Sequence, residues 1–214
     1  MFSDRTEAGE ALAEALAEAA PKDPVVLALP RGGVPVALPV ARALGAPLDL
    51  LLVRKIGMPG QSELAAGALV EGEPPQAVYN EELLRMTGLS EADFARQVAE
   101  KEEEIAERRR LWLEGRAPVS LDGRTAVVVD DGIATGATVR AALAGLRARA
   151  PAEIWLAVPV APPDTLRALR SLADRVICLE TPEHFRAVGL HYRHFPQVSN
   201  AEVAEMLRRN EAGQ

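Results

Sequence analysis

The stretch Val127 to Thr138, VVVDDGIATGAT, limits what this chain can fold into more than any other part of it. Val127, Val128 and Val129 show no polar alternation, which is the pattern of a strand covered on both faces in a parallel sheet. Asp130 and Asp131 follow at the strand's carboxyl end, and the next residues carry almost no side-chain bulk before an alanine-rich helix begins. In open α/β sheets ligands bind at that edge. Two adjacent charges placed there need a partner that offsets their desolvation.

The rest of the chain supplies the sheet. Asp4 to Glu7 has capping-box spacing and opens a helix to about Ala20, with Leu12 and Leu16 on one face. Val25 to Leu29 reads as a strand, LPRGG as a turn, and Val34 to Leu44 as a helix that Pro39 should bend or shorten. Leu48 to Val53, Thr125 to Val129, Glu153 to Val158 and Arg175 to Leu179 are further strands. Helices are expected at about Gly136 to Ala148 and Pro163 to Ala173. Strands alternating with helices of this length predict an α/β fold with a doubly wound, mainly parallel sheet and helices on both faces. The whole chain, 1–214, reads as a single domain.

An insertion at about 56–116 is too long for a simple crossover. Residues 57–80 are rich in Gly, Pro and Glu, with AAGALV as a short strand candidate. Residues 91–113 read as one helix capped by Ser90 with Asp93, its apolar stripe made of Phe94, Val98, Ile105 and Trp112. The EKEEEIAERRR run reads as a solvated face, and a homo-oligomer contact along the stripe is the alternative.

Composition excludes several function classes. A formal charge of −7 argues against general affinity for nucleic acid or an anionic membrane, so an anionic ligand would have to be held locally. Cys178 is the single cysteine, so no intramolecular disulfide can form and a cytoplasmic setting is expected. No apolar run approaches the roughly 18 residues of a membrane span.

No Gly-Lys pair occurs, which removes a Walker loop, and GxGxxG is absent. What remains is another kind of anion cradle. Ala134, Thr135, Gly136, Ala137 and Thr138 lie at a strand-to-helix turn, where backbone N–H groups and the helix dipole favour a phosphate. Asp130 and Asp131, acceptors when ionised, suit vicinal hydroxyls. A phosphate near a cis-diol describes a ribose 5-phosphate.

VVVDDGIATGAT resembles the signature of the type I phosphoribosyltransferases, in which an apolar strand, two acids and a T-G-small-T loop bind 5-phosphoribosyl-1-pyrophosphate. LPRGG resembles that family's pyrophosphate loop, where a cis peptide is common. The resemblance implies that Asp130 and Asp131 hold the ribose hydroxyls and that Ala134 to Thr138 hold the 5-phosphate. It further implies that Arg31, Gly32 and Gly33, with Lys55 after the second strand, meet the pyrophosphate. Asp130, Asp131 and Arg31 are then the catalytic candidates. Mg²⁺ is expected as cofactor, held mainly by the substrate's own pyrophosphate and ribose hydroxyls, with no all-protein cage. The Gly/Pro-rich stretch from Gly57 to Pro75 is the lid candidate, keeping water from competing with the incoming nitrogen.

A hood for the acceptor is expected at about 181–210, where all three histidines and Phe185, Tyr192 and Phe195 gather. Phe185 is the first candidate to stack on an acceptor ring and Tyr192 the second, with core packing favoured for Tyr192 and Phe195. The spacing of His184, His191 and His194 matches no standard metal pattern. Nothing in the segment selects one acceptor base or related amine. Two function classes follow: a phosphoribosyltransferase, and a non-catalytic regulatory protein that senses phosphoribosyl pyrophosphate or a nucleotide.

Overall fold

The computed structural model describes residues 1–212, with the backbone alone for residues 62, 63, 211 and 212. Helix α1, Arg5–Ala19, begins where the Asp4 carboxylate accepts from the amides of Thr6 at 2.8 Å and Glu7 at 3.0 Å. The Glu7 side chain reaches back to the Ser3 amide, one residue earlier than a capping box on Asp4 would place it. Strand β1, Pro24–Ala28, is followed by α2, Gly33–Leu44. Pro39 does not shorten α2. A Cβ on Gly9 of α1 would stand 2.5 Å from the Val36 carbonyl oxygen and 3.0 Å from Pro39 Cγ, so α1 packs hard against the turn that Pro39 deprives of a hydrogen bond.

The second expected strand divides in two. Strand β2 is only Leu48–Leu50; Leu51 and Leu52 cross, fully buried, to strand β3, Val53–Met58, which belongs to a different sheet. There β3, β4 (Gln61–Val70) and β5 (Gln76–Tyr79) form an antiparallel meander that takes in AAGALV. Most of the expected lid stretch is therefore paired strand, and its chain reversals are two, the tip where Gly60 has φ 75° and the connection 71–75 between β4 and β5. Helix α3, Glu81–Thr87, capped by the Asn80 side chain on the Leu83 amide at 3.1 Å, is an element the sequence pattern did not reveal.

The long helix starts later than expected. A 3₁₀ turn, Glu91–Phe94, precedes α4, Ala95–Leu113, and the Ser90 amide and hydroxyl both donate to the Asp93 carboxylate, at 2.7 and 2.8 Å. Phe94, Ile105 and Trp112 are buried in the core of their own chain, so the stripe is covered without a second copy. Strand β6 (Thr125–Val129), helix α5 (Ala137–Leu146), strand β7 (Glu153–Val160), helix α6 (Pro163–Leu169), strand β8 (Arg175–Glu180) and helix α7 (Asn200–Ala212) complete the fold.

The main sheet has five parallel strands in the order β2-β1-β6-β7-β8. Successive strand side chains point to opposite faces. In β1 and β6, Val26, Ala28, Val127 and Val129 join the core under α1, α2 and α4, while Val25, Leu27, Ala126 and Val128 join the core under α5 and α6. Burial on both faces is why the strands read as unbroken apolar runs. Among the described residues no helix is long and apolar enough to cross a membrane.

One buried ionic cluster pins the meander and α4 to the sheet. Asp49 of β2 is 0% exposed and accepts from Arg109 of α4, Nη2 to Oδ2 at 2.9 Å, and from the Val119 amide at 2.8 Å. Arg109 Nε lies 2.8 Å from Glu71 Oε1, just beyond β4. Replacing Arg109 by Met should leave two buried carboxylates without their cation and cost about 3–5 kcal/mol, read by urea unfolding. Burial pushes the Glu71 carboxyl up to about 7 against the opposing pull of Arg109. An acid raised in the folded state holds a proton that the unfolded chain releases, so stability should fall as pH rises from about 4.5 to about 7, and Glu71→Gln should flatten that part of the stability–pH curve.

Candidate functional site

Strands β1 and β6 are neighbours in register, Ala28 opposite Val129, so they end level and their following loops meet. The Leu29 amide donates to the Val129 carbonyl at 2.9 Å, and the Gly33 amide turns back to Leu29 at 3.0 Å. Between them the Pro30–Arg31 peptide bond is cis. Arg31 is exposed at the loop's outer side. Both glycines are required by close approach: a Cβ on Gly32 would stand 2.0 Å from Asp131 Oδ2, and one on Gly33 2.7 Å from the Val129 carbonyl oxygen and 3.1 Å from Asp130 Cα. The structure thus brings Gly32 and Gly33 against Asp131 and Asp130, with Arg31 exposed on the same loop.

The two Asp residues are half-buried. Asp130 Oδ1 accepts from the Asp131 amide at 2.9 Å. Burial, reinforced by the neighbouring Asp131 charge, holds the Asp130 carboxyl well above the usual carboxylate range. Burial also raises Asp131, but there the Arg5 guanidinium pulls in the other direction, its Nε 2.8 Å from Asp131 Oδ2. A pair held in this way is suited to a ligand that brings a cation or donates hydroxyls.

The next turn is built for access to its backbone. Gly132, φ 154°, passes beneath Val160 and Val188, where a Cβ would meet their methyl groups at 2.9 and 2.6 Å. The Ile133 amide ties the turn to Val160 at 2.9 Å. Gly136, φ 74°, is the residue before α5, and a Cβ there would stand 2.8 Å from Thr165 Cγ2. The Thr165 hydroxyl of α6 donates to the Ala134 carbonyl at 2.8 Å, bracing the loop from outside. Ala134, Thr135, Ala137 and Thr138 are exposed, and the first amides of α5 have no intrahelical acceptor. The arrangement offers donors to an anion beside two acids.

Lys55 is exposed on β3. It lines a cavity of about 570 Å³ between the meander and the start of α5, together with Tyr79, Thr138 and Arg140. That volume is within the range of small-molecule sites, and the cavity adjoins the turn through Thr138.

The C-terminal segment arrives over Gly132 by way of Val188. Phe185, half-buried, stacks on His191 at 5.4 Å with planes 9° apart. Tyr192 is not available to stack on a ligand: its ring is packed against Phe2 at 5.6 Å and Phe195 at 4.8 Å, and its hydroxyl donates to the Asp131 carbonyl at 2.6 Å. Core packing therefore claims Tyr192, because the aromatic ring fills the gap between the amino terminus and the Asp131 turn. From Ser199 onward the expected hood gives way to α7, which sends Val203 and Leu207 into the core. Among the described residues no three His, Cys, Asp or Glu side chains gather as a metal cage.

Two contributors escaped the sequence reading. Arg5 lies 126 positions before Asp131 and looks like any first-turn helix residue. Thr165, on a short helix, gives no local signal.

A family model for the phosphoribosyl transferase domain matches residues 5–193. A curated Mycobacterium tuberculosis protein named "Putative phosphoribosyl transferase" is 47% identical over 211 residues, covering 98% of this chain and 47% of that protein. The chain thus spans about half the length of the curated relatives it matches. The crystal structure of TT1426 from Thermus thermophilus superposes with a TM-score of 0.85 at 41% identity, covering 97% of this chain and 98% of that one. The structure of AQ2163 from Aquifex aeolicus shares the fold, with a TM-score of 0.51 at 14% identity over 95% of this chain and 83% of that one.

Gly32→Ala should drive the Asp131 carboxylate off its present position, since nothing bulkier than hydrogen fits at that distance. The expected cost is about 1–3 kcal/mol in urea unfolding. A loss no greater than that of an exposed loop substitution would show that the contact is slack.

Proposed function

Because the chain belongs to the phosphoribosyl transferase family, we propose that it moves the 5-phosphoribosyl group of 5-phosphoribosyl-1-pyrophosphate onto a nitrogenous base or related amine and releases pyrophosphate. The observation that carries this reading is the meeting of the Arg31–Gly33 loop, the Asp130–Asp131 pair and the Ala134–Thr138 turn at the carboxyl edge of β1 and β6. In this reading the amides of residues 135–138 and the hydroxyls of Thr135 and Thr138 receive the 5-phosphate. Asp130 and Asp131 accept from the ribose hydroxyls and favour the positive charge that builds on the ring as the C1–oxygen bond to pyrophosphate breaks. Arg31 and the backbone of Gly32 and Gly33 stabilise the charge gathering on the leaving group, with Lys55 approaching from the meander.

Mg²⁺ is the cofactor this chemistry calls for. The residues fit it as an outer partner: Asp130 and Asp131 are acids that a neighbouring cation would draw back toward ionisation. Bound with the donor, it would supply neutralisation of the pyrophosphate charge. The acceptor would enter beneath the C-terminal segment, where Phe185 and His191 form a stacked pair close to Val188 and Gly132. The hairpin tip around Gly60 is the part of the meander best placed to act as a lid, since its neighbours are held in strand pairs.

Incubation with phosphoribosyl pyrophosphate, Mg²⁺ and a panel of purine and pyrimidine bases and amines, reading released pyrophosphate, tests the reading. Release that depends on one acceptor is expected. Hydrogen bonds to a charged group are worth about 1.5–3 kcal/mol, so Asp131→Asn should cut turnover on the order of 10–100-fold with the fold retained by circular dichroism, at a lower thermal midpoint because Arg5 loses its carboxylate. Donor binding without release from any acceptor would instead identify a sensor of the same metabolite.

A further inference from the structure

Arg5 is the first residue of α1, and only 9% of it is exposed although it carries a full charge. Three contacts hold its guanidinium. Nε is 2.8 Å from Asp131 Oδ2, Nη1 donates to the Pro196 carbonyl at 2.8 Å, and the guanidinium carbon lies 3.7 Å from the centre of the Phe195 ring. A planar fork that bonds along its edge and stacks on its face is a task arginine performs and lysine does not. Asp131 in turn presses against Gly32, while Tyr192 donates to the Asp131 carbonyl at 2.6 Å. The amino terminus, the C-terminal segment and the Gly32 loop therefore converge on one carboxylate.

We propose that Arg5 is a positioning residue for the donor's ribose: it fixes the Asp131 carboxylate against Gly32 with one oxygen engaged, and it couples that carboxylate to the segment 192–196. The inference rests on the donor-site reading given above. Arg5 acts through Asp131, to which its Nε is directed, while its Nη1 is directed to the Pro196 carbonyl. The engaged oxygen, Oδ2, leaves Oδ1 as the acceptor for a ribose hydroxyl. Because the same guanidinium is held by Phe195 and Pro196, a shift of the C-terminal segment on acceptor entry would be felt at Asp131.

The charged and titratable groups around that carboxylate are Asp130, Arg5 and Tyr192. Burial opposes ionisation of Asp131 and Arg5 favours it, while the Asp131 charge in turn opposes ionisation of Asp130. Removing the Arg5 charge therefore moves Asp131 further upward, and binding that needs the carboxylate is lost at a higher pH.

Calorimetric titration with phosphoribosyl pyrophosphate and Mg²⁺ across a pH series tests this in the full chain, in Arg5→Met, Arg5→Lys, Asp131→Asn and the double variant Arg5→Met/Asp131→Asn. Arg5→Met should bind about tenfold more weakly at neutral pH, with the acid limb of binding displaced to higher pH, and Arg5→Lys should return that limb toward its original position by restoring charge. In the Asp131→Asn background the Arg5→Met change should add less than about twofold, because the partner through which it acts is gone. Equal losses in both backgrounds, or an acid limb that does not move in Arg5→Met, would overturn the inference and leave Arg5 a packing residue. Undiminished donor binding in Asp131→Asn would overturn the donor-site reading itself, and this inference with it. The double variant and Arg5→Lys keep the test open if Arg5→Met alone folds poorly.

Discussion

The contact between the Gly32 backbone and the Asp131 carboxylate is the constraint on which the site depends. Two parallel strands that end in register must send their next residues in different directions or clash. Here β1 turns away at once into α2, with glycine at the two positions nearest the neighbouring acids, and β6 continues through Asp130 and Asp131 into the turn before α5. The acids are therefore half-buried by backbone, where charge is costly, and this burial raises both of them.

That cost is offset from far along the chain. Arg5 supplies a cation from the amino terminus, Tyr192 supplies a donor from the C-terminal segment, and Phe195 supplies the ring on which Arg5 rests. A second carboxylate, Asp49, follows the same rule at the opposite edge of β1, where Arg109 and the Val119 amide satisfy it. The two clusters differ in openness. Asp49 is sealed and serves to join the meander and α4 to the sheet; the Asp130–Asp131 pair keeps access to solvent and adjoins an exposed turn whose amides have no intrahelical acceptor.

Much of the site was legible in the sequence for local reasons. Val127 to Thr138 encodes strand, acids and turn in twelve consecutive positions, and each step is dictated by residue type: β-branching, charge, then absence of bulk. LPRGG was legible as a turn from its glycines and as a pyrophosphate-type loop only through the family resemblance; the close approach of Gly32 and Gly33 to the acids came from the fold. The limits of the elements were less so. Leu48 to Val53 looks like one strand because Leu51 and Leu52 are as apolar as the residues around them, yet they are a buried crossing between two sheets. The stretch from Gly57 to Pro75 looks loose because it is rich in glycine and proline, yet partners on either side hold most of it as strand. The sequence sets Phe185 apart from Tyr192 and Phe195, favouring core packing for the latter two, and the neighbours of Tyr192, Phe2 and Phe195, place it in the packing.

The sequence by itself determined the parallel sheet, the edge at which the acids stand and the glycine-bearing turns, because apolar periodicity and backbone sterics act over a few residues. Tertiary structure alone decided which oxygen of Asp131 is engaged, that Arg5 and Tyr192 are its companions, and that Arg109 answers Asp49. Those pairings join residues separated by 126, 61 and 60 positions. Packing sets them and local pattern does not, since the desolvation each charge must overcome exists only after the chain has closed around it.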